Sequence, residues 1–188
     1  SWSGSIAPHI KWRPPYAAFR RAYEPRFRNG FLSGCLVSDL DGEHRTAPEW
    51  STVEVLDSSG SVGHVDDYDL RSLFALGQLE PDELNLVVAS DIATQLVVVG
   101  LTGPATVATW SALERLPKLR CLVLGNADAF QSSLATHRLI NKLEVVVVPA
   151  GENVDSLAGK KVQILRSGYG NSEGGCLPFY DRLIALAK

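Results

Sequence analysis

The sequence predicts an α/β protein built on a parallel sheet with flanking helices. Three observations carry that expectation. Short apolar runs rich in β-branched residues recur between Asn85 and Leu157. Segments of helical length separate them, which is the alternation of a parallel sheet and its covering helices. Leu122–Leu124 and Val145–Val148 are continuous apolar runs, as strands buried on both faces are. Polar residues then follow the runs: Ser90 and Asp91 the first, Asn126 and Asp128 the third, Gly151 to Asp155 the fourth. Open parallel sheets bind ligands just beyond the carboxyl ends of their strands.

The chain divides into three regions. Residues 1–30 form a basic arm, in which Lys11, Arg13, Arg20, Arg21, Arg26 and Arg28 face one acid, Glu24. The arm is +5 by formal count and the remainder −8. Trp2, Trp12, Tyr16, Phe19, Tyr23 and Phe27 are interleaved with these cations. A helix is expected from Tyr16 to Arg26, with Tyr16, Phe19 and Tyr23 on one face. Two readings of the arm compete. In one, the aromatic face packs on the core and the arginines are its solvated back. In the other, the six cations contact nucleic-acid phosphates while the rings stack on bases. A sequence pI near 5.8 weighs against strong electrostatic binding by the whole chain.

Residues 31–80 read as a small β segment plus a helix. Phe31–Ser38 and Ser51–Asp57 are the candidate strands of an antiparallel pair. Asp39 to Gly42 and Asp57 to Gly60 carry turn chemistry. Asp66–Leu76 is expected to be helical, and Gln78–Glu83, with Pro81, a connector. Residues 81–188 form the main domain. Ile92, Leu96, Val97 and Val99 crowd its first helix. Trp110–Leu116 and Phe130–Asn141 are further helices, Lys161–Leu165 is a short strand, and a glycine-rich stretch at 167–175 leads into a helix at Pro178–Ala187. No internal repeat is visible.

The stretch from Asn85 onward resembles a toprim domain, the metal-binding module of primases, primase-helicases and topoisomerases. Ser90-Asp91-Ile92-Ala93-Thr94-Gln95-Leu96 stands where that family has a strand-end glutamate motif. Asn126-Ala127-Asp128 stands for its Asp-x-Asp, and Gly151-Glu152-Asn153-Val154-Asp155 for a later acidic segment. The resemblance implies a toprim-like, Rossmann-like sheet in a primase-like protein of DNA replication. It also implies a degenerate active site, because three family acids are replaced, at Ser90, Asn126 and Asn153. Magnesium needs anionic oxygens, and a serine does not replace a carboxylate as general base without an activating partner. Asp91 and Asp128 are left as candidate metal ligands of a weak magnesium site. No other cofactor is expected. The bland account is that one of Ser90 and Asp91 caps a helix and that Asp128 is another cap or a loop carboxylate.

Other chemistry is poorly supported. His9, His44, His64 and His137 are scattered without metal-ligand spacing. Ser90 lacks the Gly-x-Ser-x-Gly elbow, and no Walker motif occurs. Cys35, Cys121 and Cys176 form neither a zinc pattern nor a disulfide framework, which points to a reducing compartment. No apolar run reaches membrane-spanning length. A chain that begins at Ser1 and has no methionine reads as a processed mature form or an excised fragment. Cytoplasm, or an organellar matrix for a processed chain, is the expected location.

Three functions follow. The first is a non-catalytic scaffold that binds DNA, RNA or a replication or ribonucleoprotein partner. The second is a metal-dependent nucleotidyl-transfer or phosphodiester enzyme with a reduced acid set. The third is a structural subunit of a larger protein or ribonucleoprotein complex. Oligomeric state is left open.

Overall fold

The computed structural model describes residues 22–29, 31–37, 45–125, 132–167, 175–176 and 179–187. The chain is α/β, with one eight-stranded, mostly parallel sheet and flanking helices. The strands are β1 (Ala22–Arg28), β2 (Phe31–Val37), β3 (Val55–Ser58), β4 (Ala75–Leu79), β5 (Val98–Leu101), β6 (Cys121–Leu124), β7 (Val145–Pro149) and β8 (Gln163–Ser167). Between them lie α1 (Leu84–Ala89), α2 (Val107–Glu114), α3 (Ser132–Thr136) and several 3-10 turns, and α4 (Tyr180–Ala187) follows β8.

The strands lie side by side in the order in which the chain makes them. Only β1 is antiparallel, turning into β2 at Asn29, whose φ of 52° is left-handed. From β2 to β8 every neighbouring pair is parallel. A doubly wound sheet reverses its strand order at a switch point, where ligands bind. No reversal occurs among the described strands, whose order is sequential throughout.

The sequential order exposes a repeat that the sequence reading missed. Val55, Ala75, Val98, Cys121, Val145 and Gln163 are partners in one register row, recurring every 18–24 residues. The same backbone bond recurs just before each strand: Ala75 N–H to Glu54 O, Val98 to Phe74, Cys121 to Val97, and Val145 to Arg120. Three successive repeats, those of β5, β6 and β7, also carry apolar residues spaced three and then two apart. These are Leu96, Val99 and Leu101, then Leu119, Leu122 and Leu124, then Leu143, Val146 and Val148, and all are buried in one core. Units of this size stacked in chain order make a solenoid, in which each unit buries its apolar side against the next.

Alternation along the strands creates two apolar layers. Leu56, Leu76, Val99, Leu122 and Val146 face the larger core, which α1, α2 and α3 cover. Trp110 of α2 is fully buried there, and its Nε1–H donates to Ser133 Oγ at 2.9 Å. Nearby, Lys142 Nζ donates to Glu114 O at 3.1 Å and to Leu116 O, satisfying carbonyls at the end of α2. Burial pulls that ammonium below its ordinary range. Val55, Ala75, Val98, Cys121 and Val145 face the opposite layer, which Cys176, Phe179 and Leu183 of the C-terminal segment cover.

Several local expectations are corrected. β2 and β3 are parallel, not antiparallel, because the chain between them is long enough for a crossover. The helix expected at 66–76 is a 3-10 turn at Val65–Asp67 followed by the approach to β4. Leu70, Leu73 and Leu76 have helix-like spacing but are repeat positions, all buried. Residues 22–26, expected to end a helix, belong to β1. The apolar run at Leu86–Ala89 is helix α1, and the strand of that repeat comes later, at Val98. On either side of residue 80, β4 and β5 pair directly in the one sheet.

Candidate functional site

A polar cavity of about 590 Å³ opens at the carboxyl ends of β3, β4, β5 and β6. Its walls include Ser59, Ser61, Gln78, Glu80, Glu83, Thr102 and Gly125. Local sequence explains its shape. The pairing of β4 with β5 shifts register between Leu76 and Leu79, and Gln78 takes a left-handed φ of 60° within that shift. The segment Glu80-Pro81-Asp82-Glu83 then starts a 3-10 turn with a reciprocal capping box. Glu83 Oε2 accepts from Glu80 N–H and Oε1 from Val62 N–H, both at 3.1 Å. Thr102 Oγ1 donates to Glu80 Oε1 at 2.9 Å. Gly103 is required beside it: a Cβ there would lie 2.4 Å from Glu80 Oε2.

Both carboxylates are therefore held by neutral donors, and no ion pair to either occurs among the described residues. The cavity suits a hydrogen-bond donor or a cation. No group of three or more His, Cys, Asp or Glu residues gathers for a metal among the described residues. Ser111 Oγ lies 3.4 Å from His137 Nε2 in an exposed contact, but His137 Nδ1 accepts Leu139 N–H, so no carboxylate orients that ring. Burial pushes the Cys35 and Cys121 thiols up to about 12 and Cys176 well above its ordinary value, which leaves all three protonated and unreactive.

The sequence-derived candidates are dispersed. Ser90 ends helix α1 rather than a strand, is buried, and donates Oγ–H to Val87 O at 2.6 Å. Asp91 is exposed, and its N–H donates to Asp66 Oδ1 at 3.0 Å. Both precede β5, on its amino-terminal approach. Asn153 follows the carboxyl end of β7, where its Oδ1 accepts Asp155 N–H at 2.8 Å in a local turn. The fold thus does not bring Ser90 and Asp91 to Asn153. Asn126 and Asp128 lie outside the described residues, as do Lys11, Arg13, Arg20 and Arg21. Arg26 is exposed, and Arg28 is engaged with Glu54.

Two features escaped the sequence reading. Glu80-Pro81-x-Glu83 carries a helix-start signal, so the acidic wall of the cavity was readable there. Asp57, a turn residue by its sequence context, is only 1 % exposed within β3, and its Oδ1 accepts the backbone N–H of Cys176 at 2.6 Å. A carboxylate closing an apolar run was the available signal.

Fold and site together define a class: a sequential strand-and-helix solenoid with a polar cavity along one edge. Compared with family models, curated proteins and solved structures, the chain has no significant match in any of the three.

Proposed function

We propose that this chain is a non-catalytic scaffold, a solenoid subunit of a larger protein assembly. The observation that carries this reading is the sequential parallel order of β2 to β8, with an apolar triplet in each of the three successive repeats of β5, β6 and β7. Repeats stacked this way serve widely as extended docking surfaces. The triplets resemble the Leu-x-x-Leu-x-Leu core of leucine-rich repeats. The departure is at the position three further on, held here by Pro104, Ala127 and Gly151 instead of Asn or Cys.

The toprim-like and nucleic-acid readings draw their support from sequence motifs and from the basic arm. Of the arm's two described cations, Arg28 is taken up by Glu54, which leaves Arg26 open. The deciding experiment is isolation of the chain from its source cells at rising salt, with and without nuclease. Stoichiometric recovery with a fixed set of proteins, unaffected by nuclease, supports the scaffold. Recovery as a free monomer rejects it, and an assembly that dissolves on nuclease treatment returns the nucleic-acid reading to first place.

A further inference from the structure

The sheet face opposite α1, α2 and α3 is the one strand-and-helix solenoids offer to partners. Here it is not open. Its centre is made of small apolar residues, Val98, Cys121, Val123 and Val145 among them, and Cys176, Phe179 and Leu183 lie on it. Leu183 on α4 and Phe179, the residue just before that helix, are four positions apart and make the contact together. Asp57 stands in this layer and fixes the segment through the Cys176 N–H. Two glycines shape the notch. A Cβ on Gly77 would lie 2.1 Å from Asp57 Oδ1 and 2.7 Å from Cys176 N, and one on Gly175 would lie 2.9 Å from Asp57 Oδ2.

We propose that the C-terminal segment is a displaceable latch on this face, pinned by Asp57, and that a partner helix with apolar residues four apart takes its place. The partner half rests on the scaffold reading above. Opening of the latch does not. α4 is eight residues long, well short of the roughly 12–15 at which an isolated helix begins to hold in water. It therefore forms by docking and melts on release. The sheet beneath keeps its larger core on the other face.

The three cysteines report the latch directly. Cys121 and Cys176 belong to the latched layer, and Cys35 to the larger core. The experiment is pulse labelling of the intact chain with N-ethylmaleimide in native buffer, resolved by residue with mass spectrometry. Cys121 and Cys176 should react at one common rate, roughly tenfold or more above that of Cys35, as local opening requires. Leu183→Ala should speed those two and leave Cys35 unchanged, and Asp57→Asn should do the same where it folds. Equal rates at all three thiols mean that only global unfolding exposes them, and that overturns the latch.

The same pulse applied to the assembly isolated from cells tests the displacement. A reactive Cys176 beside a protected Cys121 shows the face re-covered by a partner. Joint protection of both shows the segment still docked, which overturns the displacement and leaves the scaffold reading standing. If no assembly is recovered, the scaffold reading fails and the partner half falls with it, while the rates in the isolated chain still decide the latch.

Discussion

The two faces of the sheet are held together in different ways. The helical face is assembled along the chain, with Leu96, Leu119 and Leu143 of successive units all buried in one core. The opposite face is completed by one segment at the far end of the chain, and its anchoring bond joins residues 119 positions apart in sequence. The first core is local and redundant. The second is long-range and depends on a single event. Contacts of the first kind form early and fail together, whereas contacts of the second carry a loop-closure cost and can fail alone.

The largest test of this difference is Trp110→Ala. The ring is fully buried in the helical-face core, and its removal also orphans Ser133 Oγ. A loss of about 3–5 kcal/mol in global stability is expected, read from urea unfolding followed by far-UV circular dichroism. A loss confined to the C-terminal segment, with the main transition unmoved, breaks the comparison.

Gly77→Ala strikes the other face. Its Cβ collides with Asp57 and the backbone of Cys176, and neither can move without undocking the segment. Overpacking of this kind costs about 1–3 kcal/mol. Here it should fall on the latch: amide exchange of 179–187 accelerates while exchange in β5, β6 and β7 is unchanged. Uniform acceleration across the sheet means that the two faces unfold as one.

A backbone-only control sharpens the contrast. Gly151 has a φ of 95°, and a Cβ placed on it would meet nothing within 4 Å. Gly151→Ala therefore adds strain without touching either core, and about 1–2 kcal/mol of destabilisation is expected from the left-handed conformation. A shift of the main urea midpoint comparable to that of Trp110→Ala means that backbone strain, not packing, dominates this fold.

The same difference decides what could be read from sequence. β6 and β7 are continuous apolar runs and were legible as buried strands, at 121–124 and 145–149. The α4 helix was legible from its own pattern. Leu86–Ala89 was not, because a short apolar run has no period that separates strand from helix. The repeat was hidden by its variable spacing and by unlike residues, Val, Ala, Cys and Gln, in one register row. The latch was invisible for a stronger reason. Asp57 and Cys176 are joined only through the fold, and nothing near either one names the other.

The smallest expected effect lies at the rim of the latched face. Arg120 and Glu144 precede β6 and β7 in the register row of Val97. The guanidinium donates twice, Nε to Oε1 and Nη2 to Oε2, both at 2.6 Å. These bonds hold the Glu144 carboxyl below its ordinary range and raise Arg120. A carboxyl depressed in the folded state adds stability that is present above its unfolded value, near about 4.3, and lost as pH falls through the folded value. The window is therefore acidic, and the wild-type chain should lose stability faster than Glu144→Gln as pH drops below about 4. Both side chains are exposed and screened by solvent, so the difference should be small and shrink further with added salt. Urea midpoints of the two chains at a series of acidic pH values measure it. Parallel pH profiles show that the pair contributes nothing, and a Glu144→Gln chain more acid-sensitive than wild type reverses the sign and removes Arg120 as the cause.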